Sequence, residues 1–368
     1  MVRDRGALVV GASLATAWLL GAVTADLATR GSEVVLAPLF ALSPLIACAV
    51  LPARPTGVFA AAAVLLTAAS GVWNDTWGLP QQTVRIVDVM LVSGAAVVVA
   101  AVRVSREREH QRVVAIAEVA QRAILPRLPS RVDRMAVATR YLSAAQDAVV
   151  GGDLYDCYHS EVYTRFLVGD VRGKGVAAVE HAARVIRAFR QSAALRPTLA
   201  EVAEEMSAYL SAFFEDEDFA TALLVDASDS DRLVVVSCGH PEPLLVDPDG
   251  TATHLETVPC LPLGLGEVYE AVTVPWSEGQ RLLMYTDGLS EARDEQGRFL
   301  PLLPLAPLLR EGTGDEALDR LLDAVRGHIP HGQLNDDLAV LLVEHLSADT
   351  EPVSWPAVRT LGLQLSDR

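Results

Sequence analysis

Lysine is almost absent from this chain of 368 residues: Lys174 is the only one, and arginine supplies the other basic side chains. Acidic residues outnumber basic ones by 47 to 30, which gives a formal net charge of −17. A chain of this kind lacks the basic surface that binds a phosphate backbone, which argues against nucleic acid as a partner. Cysteine is scarce too, with four residues and no CxxC pair, so neither a disulfide framework nor a zinc knuckle is indicated.

The charge is divided unevenly along the chain. Residues 1–102 contain five basic and five acidic side chains, so residues 103–368 hold the other 25 basic and 42 acidic ones and the whole net charge. The hydrophobic fraction of 51% is high for a soluble protein. The composition therefore indicates an apolar N-terminal part followed by an acidic, soluble part.

Four apolar runs lie in the N-terminal part, each close to the ~20 residues that a helix needs to cross about 30 Å of hydrocarbon. They cover about 6–23, 34–52, 56–72 and 86–102. The simplest interpretation is four transmembrane helices, because nothing after the first run resembles the cleavage site of a signal peptide. The sequence thus predicts a multi-pass region over 1–102 in the plasma membrane.

Arginines indicate how this region is oriented. They precede the first run, lie in the second loop and follow the fourth run: Arg3, Arg5, Arg54, Arg103, Arg106 and Arg108. The third loop, around Trp73 and Trp77, has none. Because cytoplasmic loops are enriched in basic residues, both ends of the region and the domain that follows are predicted to be cytoplasmic.

A helical pattern follows the fourth run, with Val113, Ile116, Ala120 and Ala123 at steps of three and four residues. It predicts a helical linker over 103–130 that could pair with its copy in a homodimer and carry a signal to the next domain. The pattern covers fewer than three heptads, so a coiled coil and a single helix both remain open.

Runs typical of strands and of helices alternate in the acidic part. The strand-like runs are 164–169, 220–226, 232–237, 281–286 and 338–344. The helix candidates are 175–194, 198–214 and 315–328. Thr198 and Glu201 form a capping box at the start of the second candidate. The sequence predicts one domain of layered α/β structure over 131–346 and a loosely held tail over 347–368.

Four short stretches of this domain place aspartate beside glycine or a second aspartate. Asp153 follows two glycines, Asp170 and Asp287 each end a strand-like run, and Asp336 precedes one. Singly, such residues are mostly turn residues, but four carboxylates at one sheet edge would repel one another unless cations neutralise them. Oxygen ligands select magnesium or manganese, and two such ions can activate a water that attacks a phosphoryl group. The stretches therefore predict metal-dependent phosphoryl transfer.

Eight segments in a fixed order carry a resemblance to a known family. They are Gln121–Pro126, Gly151–Asp156, Asp170–Gly175, Phe219–Thr221, Gly239–Pro241, Leu263–Gly264, Tyr285–Ala292 and Asp336–Asp337. In this order they resemble the motifs of the PPM-type metal-dependent serine/threonine phosphatases, in the bacterial SpoIIE/RsbU-like branch. The resemblance covers about residues 117–345.

The resemblance implies a central β-sandwich flanked by helices, with two divalent cations, Mn²⁺ or Mg²⁺, at one end. It implies that Asp170 binds both ions, helped by the backbone carbonyl of Val171. Asp287 and Asp336 would complete the shell of one ion, and Asp153 would face the second ion, often through water. Asp170 and Asp287 are thus the expected catalytic residues.

Two interpretations remain open for several residues near these ligands. Asp337 stands where relatives may carry asparagine and ranks below Asp336. Arg172, where serine is common, either binds substrate phosphate or points to solvent. Lys174 either binds substrate or only starts a helix. His240 is either a general acid or a turn residue that fixes the backbone by a hydrogen bond.

The sequence therefore predicts a membrane-anchored phosphatase that hydrolyses phosphoserine or phosphothreonine on a protein by a metal-activated water. The resemblance implies a phosphorylated anti-sigma-factor antagonist as the substrate. One alternative is a catalytically silent PPM-fold regulator that binds a partner, which the intact carboxylates argue against. Another is a membrane transport or sensor protein with a regulatory domain, for which four short spans make a thin case.

Overall fold

The computed structural model describes residues 5–30, 36–143, 151–330, 334 and 336–347. Arg3 and all of the predicted tail except Ser347 lie outside the described residues. The chain divides into two compact units, Met1–Arg112 and Val113–Arg368. The division falls inside the predicted linker, and the finer domain boundaries stay a prediction.

The first unit contains the helices α1 (Arg5–Ala28), α2 (Leu42–Val50), α3 (Ala53–Trp73) and the first part of α4 (Pro80–Ile124). Among the described residues, three stretches are long and apolar enough to cross a membrane: Gly6–Ala28, Ala53–Trp73 and Pro80–Gln121. The second predicted run forms only a shorter apolar helix, Ala37–Val50, so a count of four crossings is not confirmed. Helix α2 ends early because Pro52 restricts Leu51 to extended backbone (φ −82°, ψ 149°).

Asp26, near the end of α1, is fully buried in this unit. Its carboxylate accepts hydrogen bonds from Leu36 N (2.8 Å), Ser70 Oγ (2.6 Å), Trp73 Nε1 (2.9 Å) and Asn74 Nδ2 (3.1 Å). The side-chain donors come from the end of α3, more than 40 residues along the chain. The carboxylate therefore ties the ends of two helices together.

Helix α4 contains both the fourth apolar run and most of the predicted linker in one helix of 45 residues. Its residues from Val113 belong to the second unit, where Ala117 packs against Val179. The helix ends at Ile124 because Pro126 disfavours helical backbone at the residue before it.

In the part of the second unit that the structure describes, the strands form two antiparallel sheets. Their strands are β1 (Arg131–Val132), β2 (Met135–Leu142), β3 (Leu154–His159), β4 (Thr164–Val171), β5 (Ala220–Asp226), β6 (Arg232–Cys238), β7 (Leu244–Val246), β8 (Ala252–His254), β9 (Val272–Pro275), β10 (Arg281–Tyr285) and β11 (Leu338–His345). One sheet has the order β1-β2-β11-β10-β7-β8 and the other the order β3-β4-β5-β6-β9. All five predicted strand-like runs are observed as strands.

Helices cover the outer faces of both sheets. They are α5 (Val176–Leu195), α6 (Leu199–Ser211), α7 (Asp287–Ser290), α8 (Ala306–Arg310) and α9 (Gly314–His328). Helices α5 and α6 pack on the β3–β6 sheet, and α8 and α9 pack on the other. The predicted capping box of Thr198 and Glu201 is present, and a second box, Thr313 with Glu316, starts α9. The predicted sandwich flanked by helices is confirmed.

Side chains alternate along each central strand between the sandwich core and the helix layers. In β4, Phe166 and Val168 lie in the core between the sheets, while Leu167 packs under α5 and α6. Because the period of a strand is two, Asp170 belongs to the same row as Phe166 and Val168. A carboxylate at the end of this row faces the opening between the two sheets.

Candidate metal centre

Three aspartates converge at one end of the sandwich. Asp153, Asp170 and Asp287 each offer a carboxylate oxygen, and these oxygens lie within 4.8 Å of one another. Strands β3 and β4 pair antiparallel with Leu154 opposite Gly169, which puts the start of β3 beside the end of β4. The pairing therefore brings Asp153 next to Asp170, and Asp287 joins them just after the end of β10.

Gly152 allows the two segments to approach closely. A Cβ at this position would collide with the carbonyl oxygen of Val171 and would lie 2.9 Å from Oδ1 of Asp170. The backbone N–H of Val171 donates to the Gly152 carbonyl at 3.3 Å. The glycine is therefore required by space, and the Val171 carbonyl, a predicted metal ligand, lies beside Asp170.

Burial and mutual repulsion raise the pKa of all three carboxyl groups. Burial raises the pKa of Asp153 well above its usual value, and the charge of Asp170 raises it further, although a 2.6 Å hydrogen bond from Thr286 Oγ1 acts in the opposite direction. Burial and the charge of Asp287 raise the pKa of Asp170 to about 7. Burial and the charge of Asp336 raise the pKa of Asp287. Carboxylates that oppose each other's ionisation suit a site for cations, whose charge offsets the repulsion.

Asp336 lies at the edge of this cluster rather than inside it. Its Oδ1 is 2.9 Å from Nζ of Lys174 and accepts a hydrogen bond from the Asp337 N–H at 3.0 Å. The Asp336 side chain is 52% exposed, so a displaced Lys174 would leave it open to an ion. The single lysine of the chain thus contacts a predicted metal ligand.

Asp337 holds the turn that precedes Asp153. Its carboxylate is buried and accepts hydrogen bonds from Tyr141 Oη, from Ser143 Oγ at 3.2 Å and from the Gly151 N–H at 3.0 Å. These donors occupy both of its oxygens. The geometry therefore distinguishes Asp337, which fixes a turn, from its neighbour Asp336.

Gln121, near the end of α4, extends this network and was noted in the sequence only as part of a motif. Its side chain is buried, and Nε2 donates to Tyr141 Oη (2.6 Å) and to the Gly151 carbonyl (3.0 Å). A polar residue on an otherwise apolar helix face was the available signal. The end of the linker helix therefore contacts the same turn as Asp337.

His240 has a structural role in this arrangement. Its Nε2 donates to the Tyr285 carbonyl at 3.0 Å, which leaves Nδ1 to accept from Thr221 Oγ1 at 3.0 Å. Burial lowers the pKa of His240 to about 4, so the ring is neutral at neutral pH. It links β5 to β10, which favours the turn-residue interpretation over a general acid.

Asp156, the second aspartate of the segment Gly151–Asp156, does not join the cluster. It is buried and accepts hydrogen bonds from Arg190 Nε (2.6 Å) and Nη2 (3.2 Å). The pair ties β3 to α5. The two aspartates of this segment thus have different roles: Asp153 belongs to the carboxylate cluster, and Asp156 binds Arg190 of α5.

Arg172 and Lys174 lie on the loop between β4 and α5, directly after the residues of the metal site. Their side chains are 46% and 45% exposed. Arg172 contacts Glu217, and Lys174 contacts Asp336. Two half-exposed basic groups therefore lie on the loop that follows Asp170 and Val171, and one of them, Lys174, contacts the edge of the carboxylate cluster.

The second unit of the chain matches a known family over most of its length. The family model for Stage II sporulation protein E (SpoIIE) matches residues 160–346, about half of the chain. Phosphoserine phosphatase RsbP of Bacillus subtilis (strain 168) is 25% identical over 159 residues, which cover 41% of this chain and 39% of that protein. The chain therefore matches about two fifths of the length of this relative.

Solved structures show a similar fold. The SiaA-PP2C domain of Pseudomonas aeruginosa is 19% identical with a TM-score of 0.54, over 65% of this chain and 98% of that domain. The PP2C phosphatase domain of SpoIIE from Bacillus subtilis, with a fragment of its regulatory domain, is 18% identical with a TM-score of 0.49, over 58% of this chain and 64% of that one. The first of these similarities supports a PP2C-type fold for the second unit.

Proposed function

The chain belongs to the stage II sporulation protein E (SpoIIE) family, and on this premise we propose that it is a membrane-anchored, metal-dependent phosphatase. It removes phosphate from phosphoserine or phosphothreonine on a protein. The observation that carries the proposal is the convergence of Asp153, Asp170 and Asp287, whose carboxylate oxygens lie within 4.8 Å of one another. Such a cluster suits hard divalent cations, which in turn suit a phosphate ester.

The proposed ligands of two divalent cations, Mn²⁺ or Mg²⁺, are Asp153, Asp170, Asp287, Asp336 and the carbonyl of Val171. These donors are all oxygens, as both ions prefer. Asp170 interacts electrostatically with both Asp153 and Asp287, which supports it as the ligand shared by the two ions. The bound cations would supply positive charge that offsets the carboxylates and polarises water and the phosphate ester.

Arg172 and Lys174 are the proposed ligands of the substrate phosphate. Both follow the metal site on the same loop, and both are about half exposed (46% and 45%), so an incoming phosphate reaches them. Charge-assisted hydrogen bonds from such groups are stronger than neutral ones and do not require the phosphate to be buried.

The substrate and the location are further parts of the proposal. The motif set supports a phosphorylated anti-sigma-factor antagonist as the substrate. Three long apolar helices support anchoring in the plasma membrane, and the arginines around them support a cytoplasmic catalytic domain. The linker part of α4 is the proposed contact of a homodimer. The acidic charge of the soluble part disfavours nucleic acid as a partner.

We predict that the full chain, purified in detergent, releases phosphate from p-nitrophenyl phosphate and from a phosphoserine protein with Mn²⁺, and stops when a chelator is added. Asp170→Asn should lower turnover at least about 100-fold, because it removes the shared ligand and its charge. Phosphate release and Mn²⁺ binding by calorimetry are the measurements.

The control is Asp156→Asn, which removes a buried carboxylate that contacts Arg190 instead of the metal site. This variant should keep Mn²⁺ binding if it folds, which circular dichroism checks. A metal-replete wild-type chain that is inert on both substrates would reject the phosphatase and favour a partner-binding regulator. Wild-type activity in Asp170→Asn would reject the assignment of the ligand.

A further inference from the structure

The loop 172–175 carries two basic side chains with different anchors. Lys174 contacts Asp336, a proposed metal ligand, at 2.9 Å. Arg172 contacts Glu217, which lies on the turn between α6 and β5 and is not among the proposed ligands. Cations bound by Asp336 would therefore compete with Lys174 for the same oxygens, whereas the anchor of Arg172 would remain in place.

Glu217 holds the guanidinium of Arg172 at two points. Nη1 donates to the backbone carbonyl of Glu217, and Nη2 donates to its Oε2 at 3.1 Å. A planar group held through both of its terminal nitrogens has a defined direction, which a single contact would not give. The backbone N–H of Arg172 also donates to the Phe219 carbonyl at 3.0 Å, so the residue is fixed at both ends.

The turn that carries Glu217 is itself well held. The Glu215 N–H donates to Asp218 Oδ2 at 3.0 Å, and the Asp218 N–H donates to the Glu215 carbonyl at 2.9 Å. The ring of Phe214 packs against that of His181 on α5, with centroids 4.9 Å apart. Glu217 is therefore presented from a structured turn, which allows it to position another side chain.

An anchor for Arg172 has an electrostatic reason. Arg172 follows Asp170 by two residues, and a free guanidinium there would be attracted to the carboxylates of the metal centre and would compete with cations for their oxygens. Glu217 offers Arg172 a different carboxylate, which accepts from Nη2 at 3.1 Å while the Arg172 side chain stays 46% exposed. The guanidinium thus remains available to a phosphate.

We infer that Glu217 is a positioning residue that holds the guanidinium of Arg172 at the rim of the metal centre to bind the phosphate of the substrate. This inference rests on the proposed phosphatase function and specifies how the substrate is held. Glu217 acts only through Arg172 and does not touch the reacting atoms.

The test compares Glu217→Ala with Asp216→Ala in the full chain. Asp216 is an exposed neighbour that carries the same charge on the same turn, so the pair differs in the contact with Arg172. With a phosphoserine peptide and Mn²⁺, Glu217→Ala should raise KM about threefold and change kcat less than about twofold, since the ion pair is exposed and its loss affects binding. Asp216→Ala should leave both constants at wild-type values.

A double mutant separates positioning from a general effect of charge. Arg172→Ala should raise KM about tenfold, and adding Glu217→Ala should raise it no further, because the two residues act as one unit. The difference in KM between Glu217→Ala and wild type should also shrink in 0.5 M salt. At this ionic strength the Debye length is about 4 Å, so an exposed ion pair is largely screened. A fall in kcat without a change in KM, or an effect of Glu217→Ala that persists without Arg172, would overturn the inference.

Phosphate binding tests the inference even if the chain proves inactive. Calorimetry with inorganic phosphate in the presence of Mn²⁺ should show affinity reduced about threefold in Glu217→Ala and unchanged in Asp216→Ala. Equal affinity in the two variants would overturn the positioning role. An inactive wild type that still shows the difference would reject only the proposed phosphatase function.

Discussion

Burial and the charges of neighbouring carboxylates hinder the ionisation of Asp153 and Asp170, so protons and metal ions compete for these two groups. Burial raises the pKa of both, and the charge of Asp170 is the next cause for Asp153. A pair of this kind is stable when it shares protons or when it holds cations, and strained when it has neither. The same residues therefore govern metal binding and the stability of this end of the sandwich.

We predict that the chelator-treated protein becomes less stable as pH rises from about 5 to about 8. The pKa of Asp170 is about 7 in the folded state and has a usual value of 3.8. Between these values the folded state binds more protons than the unfolded state, so the free energy of unfolding decreases as pH rises. Hydrogen exchange of the amides in β4 and β10 measures this change.

Manganese provides the control for this pH dependence. Bound cations replace the protons, so the loss of protection at pH 8 should be reversed by Mn²⁺ and little changed by Mn²⁺ at pH 5. Protection that stays constant or increases from pH 5 to pH 8 without metal would contradict the prediction.

Among the elements, α4 and the turn before β3 are joined by buried hydrogen bonds. Gln121 donates to Tyr141 Oη and to the Gly151 carbonyl, and Tyr141 and Gly151 both donate to Asp337. The turn at Gly151 leads directly to Asp153. The end of α4 is therefore linked to Asp153, a proposed metal ligand, through Tyr141, Asp337 and Gly151.

We predict that Gln121→Ala weakens both the fold and the metal site. It removes the donor to a buried carbonyl and a buried phenol, which costs about 1–3 kcal/mol of unfolding free energy. The concentration of Mn²⁺ that gives half-maximal activity should increase, because the turn before Asp153 loses one of its contacts. Denaturant unfolding and Mn²⁺ titration measure the two effects.

Gln111→Ala is the matched control, since Gln111 is an exposed residue of the same helix whose Nε2 donates to Glu107 at 3.0 Å. It should change neither property. If the two variants behave alike, the contact of α4 with the turn has no role in metal binding.

The molecule as a whole consists of two units, one with an apolar surface suited to a membrane and one with an acidic surface suited to water. Residues 1–102 have no net charge, and their described part includes long apolar helices, while the remaining residues carry all of the net charge of −17. Within the first unit, the buried carboxylate of Asp26 is paired internally with Ser70 and Trp73. Internal pairing is required where water is scarce, because an unpaired polar group in hydrocarbon is costly.

We predict that Asp26→Asn destabilises the first unit by about 1–3 kcal/mol, because an amide NH₂ would face the donors of Ser70 and Trp73. Thermal unfolding of the full chain in detergent measures the loss. Asp88→Asn makes the same change at an exposed position of α4 and should have no effect. Equal melting temperatures for the two variants would show that the buried carboxylate does not stabilise the unit.

Much of the fold was predictable from local patterns. The five strand-like runs and the three helix candidates correspond to observed elements, and Thr198 with Glu201 correctly placed the start of α6. Six of the described strands were not predicted: β1, β2, β3, β7, β8 and β9. Polar side chains interrupt the alternation in β2 and β3, and the other four strands have only two to four residues. The second predicted span, 34–52, gave a shorter apolar helix that ends at Val50, because Pro52 restricts the residue before it to extended backbone.

By itself the sequence determined which residues are chemically suited to metal and phosphate, because carboxylates beside glycines at strand ends depend only on local order. It also determined that an apolar N-terminal part precedes an acidic part of the chain. The tertiary structure alone decided which carboxylates meet: Asp153, Asp170 and Asp287 converge, whereas Asp337 holds a turn and Asp156 binds Arg190. The reason is that Asp153 and Asp170 lie at the ends of β3 and β4 in one sheet, whereas Asp287 follows β10 in the other. The second sheet depends on pairings between distant segments, such as β2 with β11, and these are set by packing rather than by neighbouring residues.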